Sequence, residues 1–209
     1  MSTMAEPEPT TPRTKAEQRE ATTAALIEVA RELFTERGYA GVGTEEIVHK
    51  AGVTRGALYH HFKGGKEDLF RAVLVHVSAE TTQRVMAAAS ATDDPWEELV
   101  VGTDAFLDAC TRPEVQRIML IDGPAVLGWD VWREADGNVA LGLLEAAITH
   151  AMDAGRMVRQ ASRPLAHVLL GAIDEAATVV ARADDQDVAR QEMSQTLRRL
   201  LEGLRGPTI

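Results

Sequence analysis

The chain has 209 residues, 45% of them hydrophobic, and its 32 Asp and Glu against 22 Lys and Arg leave a formal net charge of −10, which is unusual for a protein that binds nucleic acid. Its single cysteine, Cys110, excludes a disulfide framework and any metal site built from several cysteines, and it suits the reducing cytoplasm. No stretch approaches the roughly 18 unbroken apolar residues of a membrane span, and the N-terminus lacks the apolar run of a secretory signal.

Residues 1–12 contain three prolines and no large apolar residue except methionine, which predicts a disordered tail. From about Lys15 onward, apolar residues recur with the period of a helix, and no window shows the alternation of a strand. The sequence therefore predicts an all-α protein. Its periodicity, caps and turn residues indicate about nine helices, at approximately 15–37, 44–51, 55–62, 66–90, 95–111, 113–123, 129–155, 162–183 and 186–204.

The second and third predicted helices form a helix-turn-helix pattern, in which Ala-Gly-Val-Thr at 51–54 joins two helices of about eight residues. Gly52 permits the left-handed backbone of the turn, and the Thr54 hydroxyl can cap the next helix. An arginine on that helix can read guanine edges or bind phosphate, and a glycine lets the helix approach the groove closely. The outward face is predicted to hold Arg55, Gly56, Tyr59, His60 and His61.

The charge around this motif differs from that of the whole chain. Residues 13–63 hold eight Lys and Arg against seven Asp and Glu, whereas residues 64–209 hold 14 against 23. No acidic residue occurs between Glu46 and Glu67, while three of the six histidines do. This stretch is neutral to positive and would attract phosphate, so the overall acidity does not exclude a nucleic-acid partner.

The stretch from Gly38 to Leu69, GYAGVGTEEIVHKAGVTRGALYHHFKGGKEDL, resembles the N-terminal signature of the TetR family of transcriptional repressors. The resemblance implies a three-helix DNA-binding domain at 13–66 and a helical domain at 67–209 that binds a ligand and dimerises. In the family pattern, Arg55 matches the variable position that reads bases, and Lys66 matches a lysine that anchors the fourth helix to phosphate. The DNA-binding residues so implied are Thr44, Thr54, Arg55, Gly56, Tyr59, His60, Lys63 and Lys66.

Two departures from the family pattern concern the motif. Phe62 and Lys66 are four residues apart where the family usually has three, so an additional glycine alters the reach of Lys66. Lys63 is therefore an alternative source of the phosphate contact. Gly43 stands where a Ser or Thr cap is common, which weakens the first helix of the motif.

The C-terminal part carries two further patterns. Aromatic residues cluster between 96 and 132, and flat side chains between helices commonly line a small-molecule pocket, although each residue taken alone is more often part of a core. The predicted effector site contains Trp96, Asp104, Phe106, Met119, Trp129, Trp132 and His150. Apolar stripes on the last two helices predict an isologous four-helix interface with a second copy. Its residues are Leu165, Leu169, Ala172, Ile173, Ala176, Leu197, Leu200, Leu201 and Leu204.

Together these features predict a cytoplasmic, homodimeric repressor that binds a palindromic DNA operator and is released by a small-molecule effector. No cofactor, metal site or membrane partner is predicted. Two alternatives from other classes stay open: a small all-α enzyme, and a ligand-binding protein with a degenerate helix-turn-helix that does not bind DNA. The enzyme would need a nucleophile–base pair or a metal cluster, and the sequence shows no pattern for either.

Overall fold

The structure, a computed structural model, describes residues 14–134 and 138–206. Within these ranges the chain forms ten α-helices, one π-helical segment and no strand, which confirms the all-α class. The predicted tail at 1–12 lies outside the described residues. The helices are α1 (Lys15–Arg37), α2 (Thr44–Lys50), α3 (Arg55–His61), α4 (Lys66–Ala89), α5 (Pro95–Ala109), α6 (Gly123–Leu127), α7 (Trp129–Trp132), α8 (Asn138–Asp153), α9 (Ser162–Arg182) and α10 (Gln186–Glu202), and the π-helical segment is Val115–Asp122.

Helices α1 to α3 pack against the start of α4 around a compact apolar core. Leu26 on α1, Ile47 on α2 and Leu58 on α3 are fully buried there. The edge of the Phe70 ring meets the rings of Phe34 and Tyr39, with centroids 5.3 and 5.1 Å apart. The inner face of α3 packs against this core, and the outer face of α3 lies at the surface.

Local signals set the ends of the short helices. Gly52 adopts the expected positive φ of +67° in the turn, and Thr54 Oγ1 accepts a hydrogen bond from the Ala57 N–H at the start of α3. Gly43 occupies the cap position before α2 and provides no side-chain cap, as the sequence predicts. The position of α3 is therefore defined by the turn and by the Thr54 cap.

Two predicted helices differ from the observed ones. The stretch from 129 to 155 is divided into α7 and α8, and the junction at 135–137 lies outside the described residues. The helix predicted to end near Gly123 is π-helical from Val115 and passes directly into α6. Pro124 does not end it, because a proline in the first turn of a helix lacks only an N–H that has no partner there.

The C-terminal helices surround a second core, and α9 stands out among them. By length and composition alone, with a mean hydropathy of 1.4, α9 could cross a membrane, and 39% of its most apolar window is buried within the chain. One side of α9 packs against α8 and α10. An apolar helix that is largely uncovered within one chain favours a further contact surface.

Candidate nucleic-acid interface and ligand cavity

Helix α3 presents a compact polar face. Its exposed residues, together with the cap residue, are Thr54, Arg55, Gly56, Tyr59 and His60. A Cβ added at Gly56 would have only Thr54 Oγ1 within 4 Å, at 3.8 Å, so the backbone is open to close approach by another molecule. An exposed helix with a basic residue and a glycine in its first turn has the shape that docks in a major groove.

Arg55 lies at the N-terminal end of this face. Its Nη1 donates to Glu45 Oε1 at 2.8 Å, and its guanidinium lies 5.7 Å from the centroid of the Tyr59 ring. Hydrogen bonding to Tyr59 raises the pKa of the Arg55 guanidinium. The Arg55 and Glu45 side chains are 62% and 72% exposed, and ion pairs this exposed contribute little stability. Arg55 can therefore exchange Glu45 for a base or a phosphate at low cost.

The two candidate phosphate lysines have different surroundings. Lys66 Nζ donates to the backbone carbonyls of Tyr39 and Val42, both at 2.9 Å, and lies 3.9 Å from the centroid of the Tyr39 ring. Burial lowers the pKa of Lys66. Lys63 is exposed. In this structure the Lys66 ammonium thus joins α4 to the loop after α1, and Lys63 is the one that faces outward.

The additional glycine has a visible role in this arrangement. Gly65 has a φ of +67°, and a Cβ there would lie 3.0 Å from Cε1 of Tyr59. Both the backbone conformation and the close ring favour glycine at this position. Gly65 therefore permits the turn after which Lys66 points inward, and the Tyr59 ring packs against Gly65.

Two further residues of the motif lie at its edge. Thr44 is half-buried at the start of α2. His61 was predicted to face outward, but its Nδ1 lies 3.0 Å from Thr23 Oγ1 on α1, and burial lowers its pKa. The prediction for His61 is wrong because the last turn of α3 packs against α1, so the outward imidazole is that of His60.

A partly buried ionic cluster joins α1 to the C-terminal part of the chain. Arg31 donates to both carboxylate oxygens of Glu80 on α4, at 3.0 and 2.7 Å, and to Glu114 Oε2, at 2.8 and 2.6 Å. The hydrogen bond with Arg31 lowers the pKa of Glu80. Arg112 also pairs with Glu114, and His76 lies 3.2 Å from Glu80. The sequence carries no local signal for this cluster, because Arg31 lies 49 and 83 residues from its two partners.

A second contact lies at the other end of the π-helical segment. Asp122 Oδ2 accepts from the Tyr39 N–H at 2.6 Å and from Arg117 Nε at 3.1 Å, and Asp122 is buried. Glu114, beside the start of the segment, binds Arg31 on α1. Both ends of the π-helical segment are thus attached to the helix and loop that support the helix-turn-helix.

Behind this segment lies a cavity of about 420 Å³, within the range of small-molecule sites. Helix α4 lines it with a stripe of residues one turn apart, and the rest of the wall comes from α5, the π-helical segment, the end of α7, α8 and α9. The hydroxyls of Thr81 and Thr103 donate to the carbonyls of Val77 and Leu99 in their own helices, so these threonines add little polarity. The α4 residues of the wall are Ser78, Thr81, Thr82, Val85, Met86, Ala89 and Ser90.

Four of the seven predicted effector residues line this cavity, namely Phe106, Met119, Trp132 and His150. The other three do not. Trp96 is 1% exposed within the second core, Asp104 accepts hydrogen bonds from Ser194 and Arg198 on α10, and Trp129 is 58% exposed. Residues 96 and 104 lie on sides of α5 that face away from α4, which sequence clustering does not reveal.

The sequence reasoning missed three ionisable residues of the wall, Glu98, Arg133 and Asp174. A signal existed for one of them, because Glu98, Gly102 and Phe106 are spaced by four residues and share one face of α5. No such signal existed for Arg133 and Asp174, since they come from different elements.

The predicted dimer residues differ in burial, and most of them are covered by their own chain. Leu169, Ile173, Ala176, Leu197 and Leu201 are buried within the chain, and Leu165, Ala172 and Leu204 are half-buried. Leu200 is 53% exposed. The centre of each predicted stripe faces the neighbouring helices of the same chain. The apolar residues that remain at the surface of α9 and α10 are Val168, Val179, Val188 and Leu200.

The Arg31 cluster predicts a stability contribution that depends on pH. The folded pKa of Glu80 is lowered, so its contribution is present above the unfolded value of about 4.3 and is lost as the pH falls through the folded value. Wild type should therefore exceed Glu80→Gln in free energy of unfolding above about pH 5, and this difference should shrink below about pH 4. Urea titrations across this range measure it, and a difference that persists undiminished at acid pH contradicts the assignment.

Comparison with known proteins agrees with the fold and the motif. Residues 26–73 match the family described as "Bacterial regulatory proteins, tetR family", and residues 96–204 match "Tetracyclin repressor-like, C-terminal domain". The TetC protein of transposon Tn10 from Escherichia coli is 27% identical over 149 residues, which cover 70% of this chain and 73% of that protein. The chain spans less than half the length of two other curated regulators that it matches, LmrA and FasR.

Solved structures agree as well. A TetR-family transcriptional regulator from Pectobacterium atrosepticum is 34% identical with a TM-score of 0.82, and the match covers 94% of this chain and all of that one. FadR from Bacillus subtilis, solved in complex with stearoyl-CoA, shares the fold at 20% identity and a TM-score of 0.68, over 85% of this chain and 96% of that one. The N-terminal signature, the C-terminal domain and the whole-chain likeness lead to one conclusion: the chain belongs to the TetR family of DNA-binding transcriptional regulators.

Proposed function

We propose that this regulator is a cytoplasmic repressor that binds a palindromic operator as a homodimer and leaves it when a small-molecule effector enters the cavity. The observation that carries the proposal is that the π-helical segment contacts both the cavity and the loop beside the helix-turn-helix. The π-helical segment places Met119 in the cavity wall and, through Asp122, holds the Tyr39 N–H beside the helix-turn-helix. The complex of FadR with stearoyl-CoA supports the proposal, because it places an organic ligand with a protein of this fold.

The mechanism follows from the spacing that DNA requires. Two α3 helices must lie about 34–36 Å apart to enter successive major grooves on one face of the duplex. The Trp132 Nε1–H donates to the Met119 carbonyl at 2.9 Å, so a ligand that displaces either side chain also moves the π-helical segment. Because Glu114 and Asp122 attach that segment to α1 and its following loop, the ligand favours a different spacing of the two α3 helices.

A mobility-shift assay tests the proposal directly. The full chain should shift DNA from upstream of its own coding region, and its affinity should fall steeply with salt as phosphate contacts release counterions. A compound library screened against the complex should then contain a class that releases the DNA. Equal affinity for upstream and random DNA would contradict operator recognition, and the absence of any releasing compound would contradict the effector role.

Filling the cavity should separate DNA binding from effector response. A Cβ at Gly102 would lie 3.6 Å from Ala89 Cβ, an ordinary contact, so Gly102→Ala should leave both activities intact. The longer side chain of Gly102→Leu projects into the cavity and should abolish release by the effector while operator affinity is retained. Mobility shifts with and without effector measure both properties. Normal release of Gly102→Leu would show that the effector binds elsewhere.

The exposed apolar face of α9 and α10 is the proposed dimer interface. Val168 is 69% exposed on α9, and a glutamate there would bury a charge between the two copies. Val168→Glu should therefore shift the protein from dimer to monomer in size-exclusion chromatography with light scattering. Val139→Glu is the matched control, because Val139 on α8 is 63% exposed and lies outside this face. A Val168→Glu variant that remains dimeric would place the interface elsewhere.

A further inference from the structure

A carboxylate–imidazole contact and an ion pair lie in the wall of the cavity, at opposite ends of it. Glu98 Oε2 is 3.1 Å from His150 Nδ1, and Arg133 Nη1 donates to Asp174 Oδ2 at 2.8 Å. The Glu98 end lies beside the C-terminal end of α4. Gly102, one turn further along α5, faces Ala89 and Val85 in the last turns of that helix.

The Arg133 end lies near the start of the α4 stripe. Trp132, the residue before Arg133, donates to the Met119 carbonyl, and Thr81 Oγ1 lies 3.8 Å from Met119 Sδ. Thr81 and Ser90 are about 13 Å apart along α4 at the usual rise of a helix. The cavity is therefore elongated, with one ionic group at each end.

The two ends differ in electrostatic balance. With histidine neutral, the ionised groups of the wall are Glu98, Asp174 and Arg133, which leaves one negative charge in excess. Asp174 is paired with Arg133, whose guanidinium also lies 4.8 Å from the Trp129 ring centroid. Glu98 lies 3.1 Å from the His150 imidazole, which is 60% exposed. The excess negative charge is thus located at Glu98.

We infer that the cavity takes a hydrophobic monocation, whose charged end binds Glu98 and whose apolar body extends along α4 toward Trp132. This inference rests on the proposed function, since it names the class of effector. The wall between the two ends is apolar, with Val85, Leu99 and Leu144 among its residues, and it matches an apolar body.

The cost of displacing each existing partner decides the sign of the charge. An anion at Arg133 would have to break the contact between Arg133 and Asp174, whose side chain is only 17% exposed. A cation at Glu98 displaces only the His150 imidazole, which is 60% exposed and can be hydrated instead. A neutral molecule gains no charge–charge attraction at either end. The cation is therefore the class of ligand that the cavity binds at the lowest cost.

Binding of three compounds with the same chain and different heads tests this inference without DNA. Decyltrimethylammonium, 1-decanol and decanoate are titrated into the full-length protein below their micelle concentrations, and binding is followed by tryptophan fluorescence through Trp132. The cation should bind about tenfold more tightly than the alcohol, because its quaternary ammonium head attracts the Glu98 carboxylate by charge, and decanoate should bind more weakly than either. Tightest binding of decanoate or of the alcohol would overturn the inference.

Two variants test whether the Glu98 carboxylate causes the preference for the cation. Glu98→Gln should remove the advantage of the cation and leave the affinity for the alcohol unchanged. Glu97→Gln, one residue earlier on α5 and outside the cavity wall, should leave all three affinities unchanged. A Glu98→Gln variant that keeps its preference for the cation, or that loses affinity for all three compounds equally, would overturn the role of Glu98.

Operator release is measured separately, so that the two proposals fail independently. Selective binding of the cation without release of DNA supports the inference on the cavity and contradicts the effector-responsive function. Release of DNA by an anionic or neutral compound, with no binding of the cation, supports the proposed function and overturns the inference.

Discussion

Replacing Arg55 by alanine is expected to weaken operator binding by about 1–3 kcal/mol, roughly five- to 150-fold, and to relax the preference for one base in each half-site. Arg55 is exposed in the first turn of α3, beside the open backbone of Gly56. In the unbound protein its guanidinium contacts the exposed carboxylate of Glu45 and the exposed Tyr59 ring. A planar donor at this place can bind the O6 and N7 atoms of guanine together.

Lys63→Ala provides the contrast that separates base reading from phosphate binding. Lys63 is exposed just after α3, and its loss should weaken binding to all sequences alike and reduce the salt slope by about one. Both variants are measured by mobility shift at several salt concentrations, on the operator and on half-sites with single base changes. An Arg55→Ala variant that loses affinity uniformly would assign Arg55 to phosphate instead.

Replacing Arg31 by alanine is expected to lower the free energy of unfolding by about 3 kcal/mol. Arg31 is 15% exposed and makes four hydrogen bonds to Glu80 and Glu114, so its removal leaves two partly buried carboxylates without their shared cation. Urea unfolding measures the change. The Lys50→Ala control removes a much more exposed ion pair, with Glu32, and should cost about 0–1 kcal/mol.

The same cluster makes Arg31 a test of the link between α1 and the effector domain. If Glu80 and Glu114 act only through Arg31, adding Glu80→Gln and Glu114→Gln to Arg31→Ala should restore part of the lost stability, because the unpaired charges are gone. A loss below 1 kcal/mol for Arg31→Ala, or no recovery in the triple variant, would show that the cluster does not stabilise this contact.

The helix-turn-helix could be predicted from the sequence because its signals are local. The positive φ of Gly52, the Thr54 cap and the apolar positions of the short helices each involve residues within one or two turns of one another. The position of Lys66 could not be predicted in the same way. Its ammonium is held by carbonyls of Tyr39 and Val42, more than 20 residues earlier, after a turn at Gly65 that no helical pattern specifies.

The cavity shows the same division between local and long-range information. Phe106, Met119, Trp132 and His150, which the sequence places in an effector site, line this cavity, and their part in binding an effector stays a prediction. Trp96 and Trp129 were not separable from them by composition. Whether an aromatic ring is core, wall or surface depends on the rotation of its helix about its own axis, and the neighbouring helices set that rotation.

By itself, the sequence determined that this protein is all-α, that a helix-turn-helix begins near residue 44, and that the acidic residues are concentrated outside that motif. Caps, turn glycines and apolar periodicity are properties of short segments, so they can be read without the fold. Only the tertiary structure decided which lysine faces outward, which charged residues meet in the cavity, and which apolar residues of α9 and α10 are left exposed. The lysine and cavity contacts join residues 24 to 52 positions apart, and chain packing alone brings such residues together.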